Sequence, residues 1–413
     1  MWSDNQIIKS LFNRRMLICV FTGFASGLPL YVVYTLLPAW LRSEGVSLTN
    51  IGFFALVGTP YTWKFFYSPL IDRYPLPFLG IRRGWMFITQ IILFFIIAAF
   101  GWFEPNISLW SIAVLAFALA LFSASLDIVL DAYRRELLPD SELGLGNSIH
   151  VNAYRVAGLI PGSLALILSD HLSWEWVYFI VALFILPGIF MTLFIKELEH
   201  KNKTPNTLKD AIVLPFIDFF TRNGVKQALW VLAFMLFYKL GDSMATALST
   251  PFYLDLGFTK TQIGIVAKNA ALWPMVIGGM AGGLLMVKIG INKALWLFGF
   301  VQIITIGGFV VLAEVGNNLA VLAVVIAFEY LGVGLGTAAF VAFIARSTNK
   351  TFVVTQFALL TALTALPRTF ANSITGIMVD YMGWSNFFWV CIFLAIPGML
   401  MLFKVAPFFE RSE

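Results

Sequence analysis

Apolar runs of about 20 residues recur from one end of the chain to the other, separated by short polar stretches. At about 1.5 Å of rise per residue, a helix of that length crosses a hydrocarbon core of roughly 30 Å. Backbone facing lipid has to satisfy its own hydrogen bonds, and single segments this long and apolar do so as helices. The pattern predicts twelve spans, at residues 16–40, 50–71, 84–103, 109–133, 147–169, 174–195, 227–254, 262–287, 293–313, 319–345, 352–379 and 384–406. The longest polar stretch runs from Lys196 to Lys226 and holds Lys201, Asn202, Lys203, Thr204, Pro205 and Asn206, a linker composition. It divides six spans from six. The expected organisation is therefore a six-helix bundle over 1–195, a linker over 196–226 and a second six-helix bundle over 227–413.

Composition agrees with that picture. The 413 residues are 60% hydrophobic and 12% charged, where soluble domains carry about 25% charge. Arg14 and Arg15 precede an apolar stretch as in a signal peptide, but the stretch continues to Trp40 without a small-residue cleavage pattern, so it reads as a retained first span. The net charge of +5 follows from topology: of 27 Lys and Arg, 20 fall on the side carrying the termini and linker, five lie inside spans, and two, Arg42 and Lys260, lie opposite. The positive-inside rule puts termini and linker in the cytoplasm. The charge thus needs no nucleic acid to explain it. Cys19 and Cys391 both sit in apolar runs without a metal-ligand spacing, so no metal, cofactor or structural disulfide is expected.

The halves repeat. Asp170 and Trp174 pair with Asp380 and Trp384, and Pro187 and Gly188 with Pro397 and Gly398, each offset by 210; Ile51 and Gly52 pair with Ile263 and Gly264 at 212. Six-helix halves repeated in parallel orientation are the plan of the major facilitator superfamily, in which the solute site lies between the halves near the membrane midplane. The expected fold is an all-α polytopic membrane protein of that plan, twelve helices in two pseudo-symmetric bundles.

Leaving aside the span-end residues Glu175, Lys293 and Lys404, nine charged residues fall inside spans: Lys64, Asp127, Asp131, Arg155, Lys239, Asp242, Lys268, Glu329 and Arg368. A charge in lipid costs a few kcal/mol at least, so each should face a partner, a bundle interior or water. None lies in spans 1, 3, 6, 9 or 12. Spans 3, 6, 9 and 12 are the outer supports of the superfamily, so the distribution fits a wet central cavity. Counting residues from the span ends puts Asp127 and Arg155 at a similar depth, roughly 10 to 12 Å at 1.5 Å per residue, and Glu329 level with Arg368. These are the pairs expected. Lys239 and Asp242 share a helix face at i, i+3, and Asp127 and Asp131 at i, i+4.

Carboxylates in a low-dielectric cavity can carry a proton, and cations there can hold an anionic solute. Asp127, Asp131, Asp242 and Glu329 are the candidate proton-coupling acids, with Asp127 foremost, although a static ion pair remains the alternative for each, and for Asp131 a bond to Arg134 or Arg135 is favoured. Lys64, Arg155, Lys239, Lys268 and Arg368 are the candidate solute-binding cations. Tyr31, Tyr34, Trp63 and Trp273 are candidates for stacking on sugar rings, against the plainer role of packing or interfacial anchoring. Pro29, Pro60, Pro161, Pro274 and Pro367 mark bends for alternating access or ordinary kinks. Asp72, Arg73, Arg82 and Arg83, between spans 2 and 3, are similar to the superfamily's cytoplasmic Asp-Arg-x-Gly-Arg-Arg loop stretched by an insertion. A degenerate copy runs from Gly283 to Lys293. Such a motif would stabilise a conformational state and not bind solute.

Several stretches resemble the AmpG muropeptide permeases of Gram-negative bacteria: GFASGLPL at 23–30, IGFFALVG at 51–58, Lys64 through Ser68, Pro69 and Leu70 to Tyr74, SASLDIVLDA at 123–132, YKLGD at 238–242, and Asn349 and Lys350 with TQFALL at 355–360. They are collinear over almost the whole chain. The resemblance implies an inner-membrane permease that brings N-acetylglucosaminyl-1,6-anhydromuramyl peptides into the cytoplasm with protons for cell-wall recycling, a flux that also feeds β-lactamase induction and antibiotic resistance; a monomer is the expected state. It implies roles for Asp127, Asp131, Lys64, Lys239, Asp242 and Lys268. Leu126 replaces a polar residue often found before the first acid, and Arg134 with Arg135 a different polar pair after the second. A membrane transferase is the rival of another class, but His150, His171 and His200 lie at span ends or in loops with no nucleophile, base and orienting acid together. Within the same fold, the rival is a carrier of another amphipathic or anionic solute.

Overall fold

The first long helix starts where Asn13 accepts the backbone N–H of Met16, satisfying a donor that the helix itself leaves unpaired. The computed structural model describes residues 13–73, 79–198, 214–222, 224–347, 360, 365 and 367–408, and every regular element among them is helical. In chain order these are α1 (Arg14–Ser43), α2 (Leu48–Phe53), α3 (Thr59–Arg73), α4 (Ile81–Phe100), α5 (Pro105–Leu137) and α6 (Asp140–Ala157). They continue as α7 (Trp174–Phe194), α8 (Leu214–Arg222), then α9 (Val225–Asp255), α10 (Lys260–Met286), α11 (Lys288–Val315), α12 (Leu319–Ser347) and α13 (Thr375–Val405). Ten helices among the described residues are long and apolar enough to cross a membrane. The predicted second span is present as α2 and α3 joined by a 3-10 turn over Phe54–Gly58. Much of the predicted eleventh span lies outside the described residues, and its C-terminal end forms the start of α13, which breaks at Gly383, where φ is 77°.

Among the described residues three π-helical turns interrupt the spans: Val32–Leu36 in α1, Ile160–Leu164 after α6, and Ile263–Ala267 in α10. The first follows Pro29 and the second contains Pro161. A proline has no N–H to give to the ladder, and the extra residue of a π turn absorbs the misfit.

The chain divides into two compact units. One holds Met1–Trp40 with Trp63–Thr204, the other Leu41–Thr62 with Pro205–Glu413. In the first unit, α1 lies directly on α6, because any Cβ at Gly23 or Gly27 would meet the carbonyl oxygens of His150 and Tyr154. In the second, Gly398 plays that part against the backbone of Phe237 and Tyr238.

The sequence repeat reappears as repeated packing. In the first unit Trp40 meets Tyr178 with ring centroids 5.0 Å apart, and Trp174 lies 6.1 Å from Tyr178. In the second, Phe252 meets Phe388 at 4.9 Å, and Trp384 stacks 5.9 Å from Phe388. Each unit thus closes one end of its bundle with a buried aromatic cluster, which contributes apolar area and favourable edge-to-face contacts. Segment 41–62 joins the second unit through Arg42 Nε donating to Asp255 Oδ1 at 2.5 Å and through Thr49, whose N–H and hydroxyl donate to Asp380 Oδ2 at 3.0 and 2.7 Å. The Asp380 carboxylate therefore sits at the N-terminus of α2, where a negative charge is favoured.

Candidate functional site

In the first unit a charged cluster forms where α1, α3 and α5 meet. Asp127 on α5 accepts from Ser26 Oγ on α1 at 2.5 Å and from Lys64 Nζ on α3 at 2.6 Å. One turn on, Asp131 pairs with Arg134 at 2.9 Å, and Arg134 Nε also donates to Asn147 Oδ1 at 2.9 Å. Both carboxylates on this face of α5 are therefore matched by a cation. The Lys64 side chain is 36% exposed and that of Asp127 21%, so the pair borders open space. Beside it Thr22 and His150 Nδ1 lie 3.1 Å apart, joining α1 to α6.

This arrangement corrects one expectation. Among the described residues Asp127 has no ion pair with Arg155; Lys64 takes that place. Equal depth does not settle which way two side chains point around their helices, and the long lysine stem reaches an acid from another span. Arg155 is half-buried on α6, within electrostatic reach of Tyr31, whose ring lies 5.6 Å from that of Tyr154.

The second unit holds a different cluster. Lys239 and Asp242 on α9 pair at 2.6 Å, as the i, i+3 spacing predicts, and both side chains are only 8% exposed. Glu329 on α12 is 1% exposed. Its electrostatic neighbours are Asp242, Lys239 and the Thr305 hydroxyl. A second expectation is thereby corrected: no ion pair joins Glu329 to Arg368 among the described residues, and Arg368 instead lies within electrostatic reach of Asp242. Glu329 Oε2 and Asp242 Oδ1 are buried without a hydrogen-bond partner, as is Gln302 Nε2 on α11, one turn from Thr305.

Lys268 stands just after the π turn in α10, and its Nζ donates to Thr250 Oγ1 at 2.8 Å. Tyr34 lies inside the π turn of α1, and π turns often mark functional positions. Tyr34, Trp63 and Trp273 are 42%, 52% and 55% exposed, while Tyr31 is half-buried.

The residues of the loop motif serve an anchoring network in the first unit. Arg82 is buried and pairs with Glu136 of α5 at 3.1 Å. Arg83 donates to the carbonyls of Thr192 and Leu193, which end α7. The Glu197 carboxylate accepts the backbone N–H groups of both arginines and so caps α4, whose first residue follows Gly80 at φ 90°. The side chains of Asp72 and Arg73 lie outside the described residues. Sequence reasoning passed over Ser26, Glu136, Glu197, Thr250, Thr305 and Gln302. Only Ser26 carried a signal, inside the GFASGLPL stretch.

Comparison with known proteins places the chain in a family. Residues 19–348 match the family description Major Facilitator Superfamily. The anhydromuropeptide permease of Escherichia coli strain K12 is 40% identical over 97% of this chain and 81% of its own length. An uncharacterized protein of Haemophilus influenzae is 51% identical over 99% of both chains. The crystal structure of a D-xylose-proton symporter superposes with a TM-score of 0.71 over 97% of this chain and 98% of its own, at 12% identity, a likeness of fold. The chain therefore belongs to the major facilitator superfamily and, within it, to the anhydromuropeptide permease family.

Proposed function

We propose that the protein imports anhydromuropeptides across the bacterial inner membrane by proton-coupled alternating access of two six-helix halves. The observation that carries this reading is the 40% identity with the E. coli permease along almost the whole chain. The charged clusters support it. A muropeptide brings peptide carboxylates and sugar faces, and the chain offers Lys64, Arg155, Lys239, Lys268 and Arg368 for the former and Tyr31, Tyr34, Trp63 and Trp273 for the latter. With 20 of 27 basic residues on the side of the termini and linker, the proposed orientation has both termini in the cytoplasm, and import runs from periplasm to cytoplasm.

Asp127, Asp131, Asp242 and Glu329 are the acids available for coupling. A bound solute carboxylate competes with a protein carboxylate for the same cation, and protonating the protein acid settles that competition in favour of the solute. Binding of proton and solute thereby help one another, which is what symport requires.

The test is uptake of labelled anhydromuropeptide into proteoliposomes. The reading predicts accumulation above the external concentration when an inward proton gradient is imposed, and only equilibration when the gradient is collapsed. Failure to take up anhydromuropeptide, with uptake of another organic anion, would replace the solute. Accumulation unchanged by collapse of the gradient would remove the proton.

A further inference from the structure

Of the four membrane-embedded acids, three have a cation within salt-bridge distance: Asp127 has Lys64, Asp131 has Arg134 and Asp242 has Lys239. Glu329 has none among the described residues, although it is the most deeply buried of the four acids and its Oε2 lacks any hydrogen-bond partner. An ionised carboxylate in such a place carries a large desolvation cost, offset only by the Thr305 hydroxyl and the charge of Lys239, whereas the neutral acid carries little. The groups around it reinforce the point. Asp242 on α9 is a like charge, Lys239 is already committed to Asp242, and the other titratable groups nearby, Tyr253 of α9, Tyr330 of α12 and Cys391 of α13, are neutral groups.

We infer that Glu329 is the acid that carries the transported proton, held as a neutral carboxylic acid in the conformation described here, while Asp127 stays ionised on Lys64. This rests on the proton-coupled reading and assigns its acid.

The step balances simply. A proton from outer water forms the O–H bond on a Glu329 carboxylate oxygen, and that bond breaks when the group meets water open to the cytoplasm, leaving the carboxylate and delivering one proton. No oxidant or leaving group is involved. The second unit holds three membrane-embedded cations, Lys239, Lys268 and Arg368, against two acids, Asp242 and Glu329, so it carries excess positive charge in either state of Glu329, and protonating Glu329 raises that excess by one. An anionic peptide solute offsets the excess, so binding of proton and solute help one another in the second unit.

The experiment compares wild type, Glu329→Gln and Glu329→Asp in proteoliposomes, with labelled muropeptide binding to each purified protein as the check on folding. The expected result is that Glu329→Gln binds muropeptide but loses accumulation, its internal to external ratio falling to unity under an imposed gradient, while Glu329→Asp, which keeps a carboxyl, accumulates. A second measurement needs neither a variant nor a solute. Dicyclohexylcarbodiimide attacks protonated carboxyls in apolar surroundings, so peptide mapping of treated wild-type protein should find the adduct at Glu329, weakening as pH rises, and not at Asp127. Gradient-driven accumulation by Glu329→Gln, or absence of the adduct at Glu329 at every pH, overturns the assignment. If wild type fails to move muropeptide, the solute reading fails instead, and the carbodiimide map still decides Glu329.

Discussion

Asp127 in the first unit and Glu329 in the second face the same energetic difficulty and meet it differently. Asp127 has an ammonium at 2.6 Å and a hydroxyl at 2.5 Å, and its side chain is 21% exposed. Glu329 is 1% exposed and has no cation at salt-bridge distance among the described residues. Where a counter-ion is supplied, the charge is part of the fold; where it is not, on the inference drawn for Glu329, a proton takes its place. On that assignment, the second half adds a movable proton on Glu329 beside its fixed Lys239–Asp242 pair, while the acids of the first half stay paired.

The largest effect should come from stranding a fully buried charge. Lys239→Met removes the partner of Asp242 in a place where both side chains are 8% exposed, and thermal unfolding in detergent should show a loss of about 3–5 kcal/mol. Adding Asp242→Leu should restore most of it, since replacing both members of a buried pair with apolar groups is close to neutral. Lys64→Met should cost less, about 1–2 kcal/mol, because that pair is partly exposed and lies between the surface and buried cases. Ser26→Ala removes a single hydrogen bond to a carboxylate and should cost about 1.5 kcal/mol. Glu329→Gln should change stability least, by under about 1 kcal/mol, because a neutral group replaces a neutral group. A large stability loss from Glu329→Gln, matched by a small one from Lys64→Met, would reverse the contrast between the two units.

The architecture was open to sequence reasoning because its cause is local. A run of about 20 apolar residues has few ways to exist in a bilayer, and the repeat offset of about 210 that aligned Trp174 with Trp384 reappears as matched aromatic clusters. Pairs within one helix were also legible: Lys239 with Asp242 and Asp131 with Arg134 follow from spacing of three along a helix of known pitch. Pairs between helices were not. Asp127 was matched by depth to Arg155, and Glu329 to Arg368, but depth is one coordinate, and the rotation of each helix about its axis is fixed by packing that only the folded chain reveals. Close approach of α1 to α6 at Gly23 and Gly27 is part of that packing, as it helps to set where Ser26 points. The capping of α4 by Glu197 was hidden for another reason, since a carboxylate more than a hundred residues away leaves no local trace.

The most direct test of coupled import follows the proton itself. Vesicles of wild-type protein, sealed to protons and holding a pH-sensitive dye outside, receive a pulse of anhydromuropeptide with no gradient imposed. The account predicts that the outside turns alkaline as solute and proton enter together. Entry of the labelled solute with no change in external pH would contradict it.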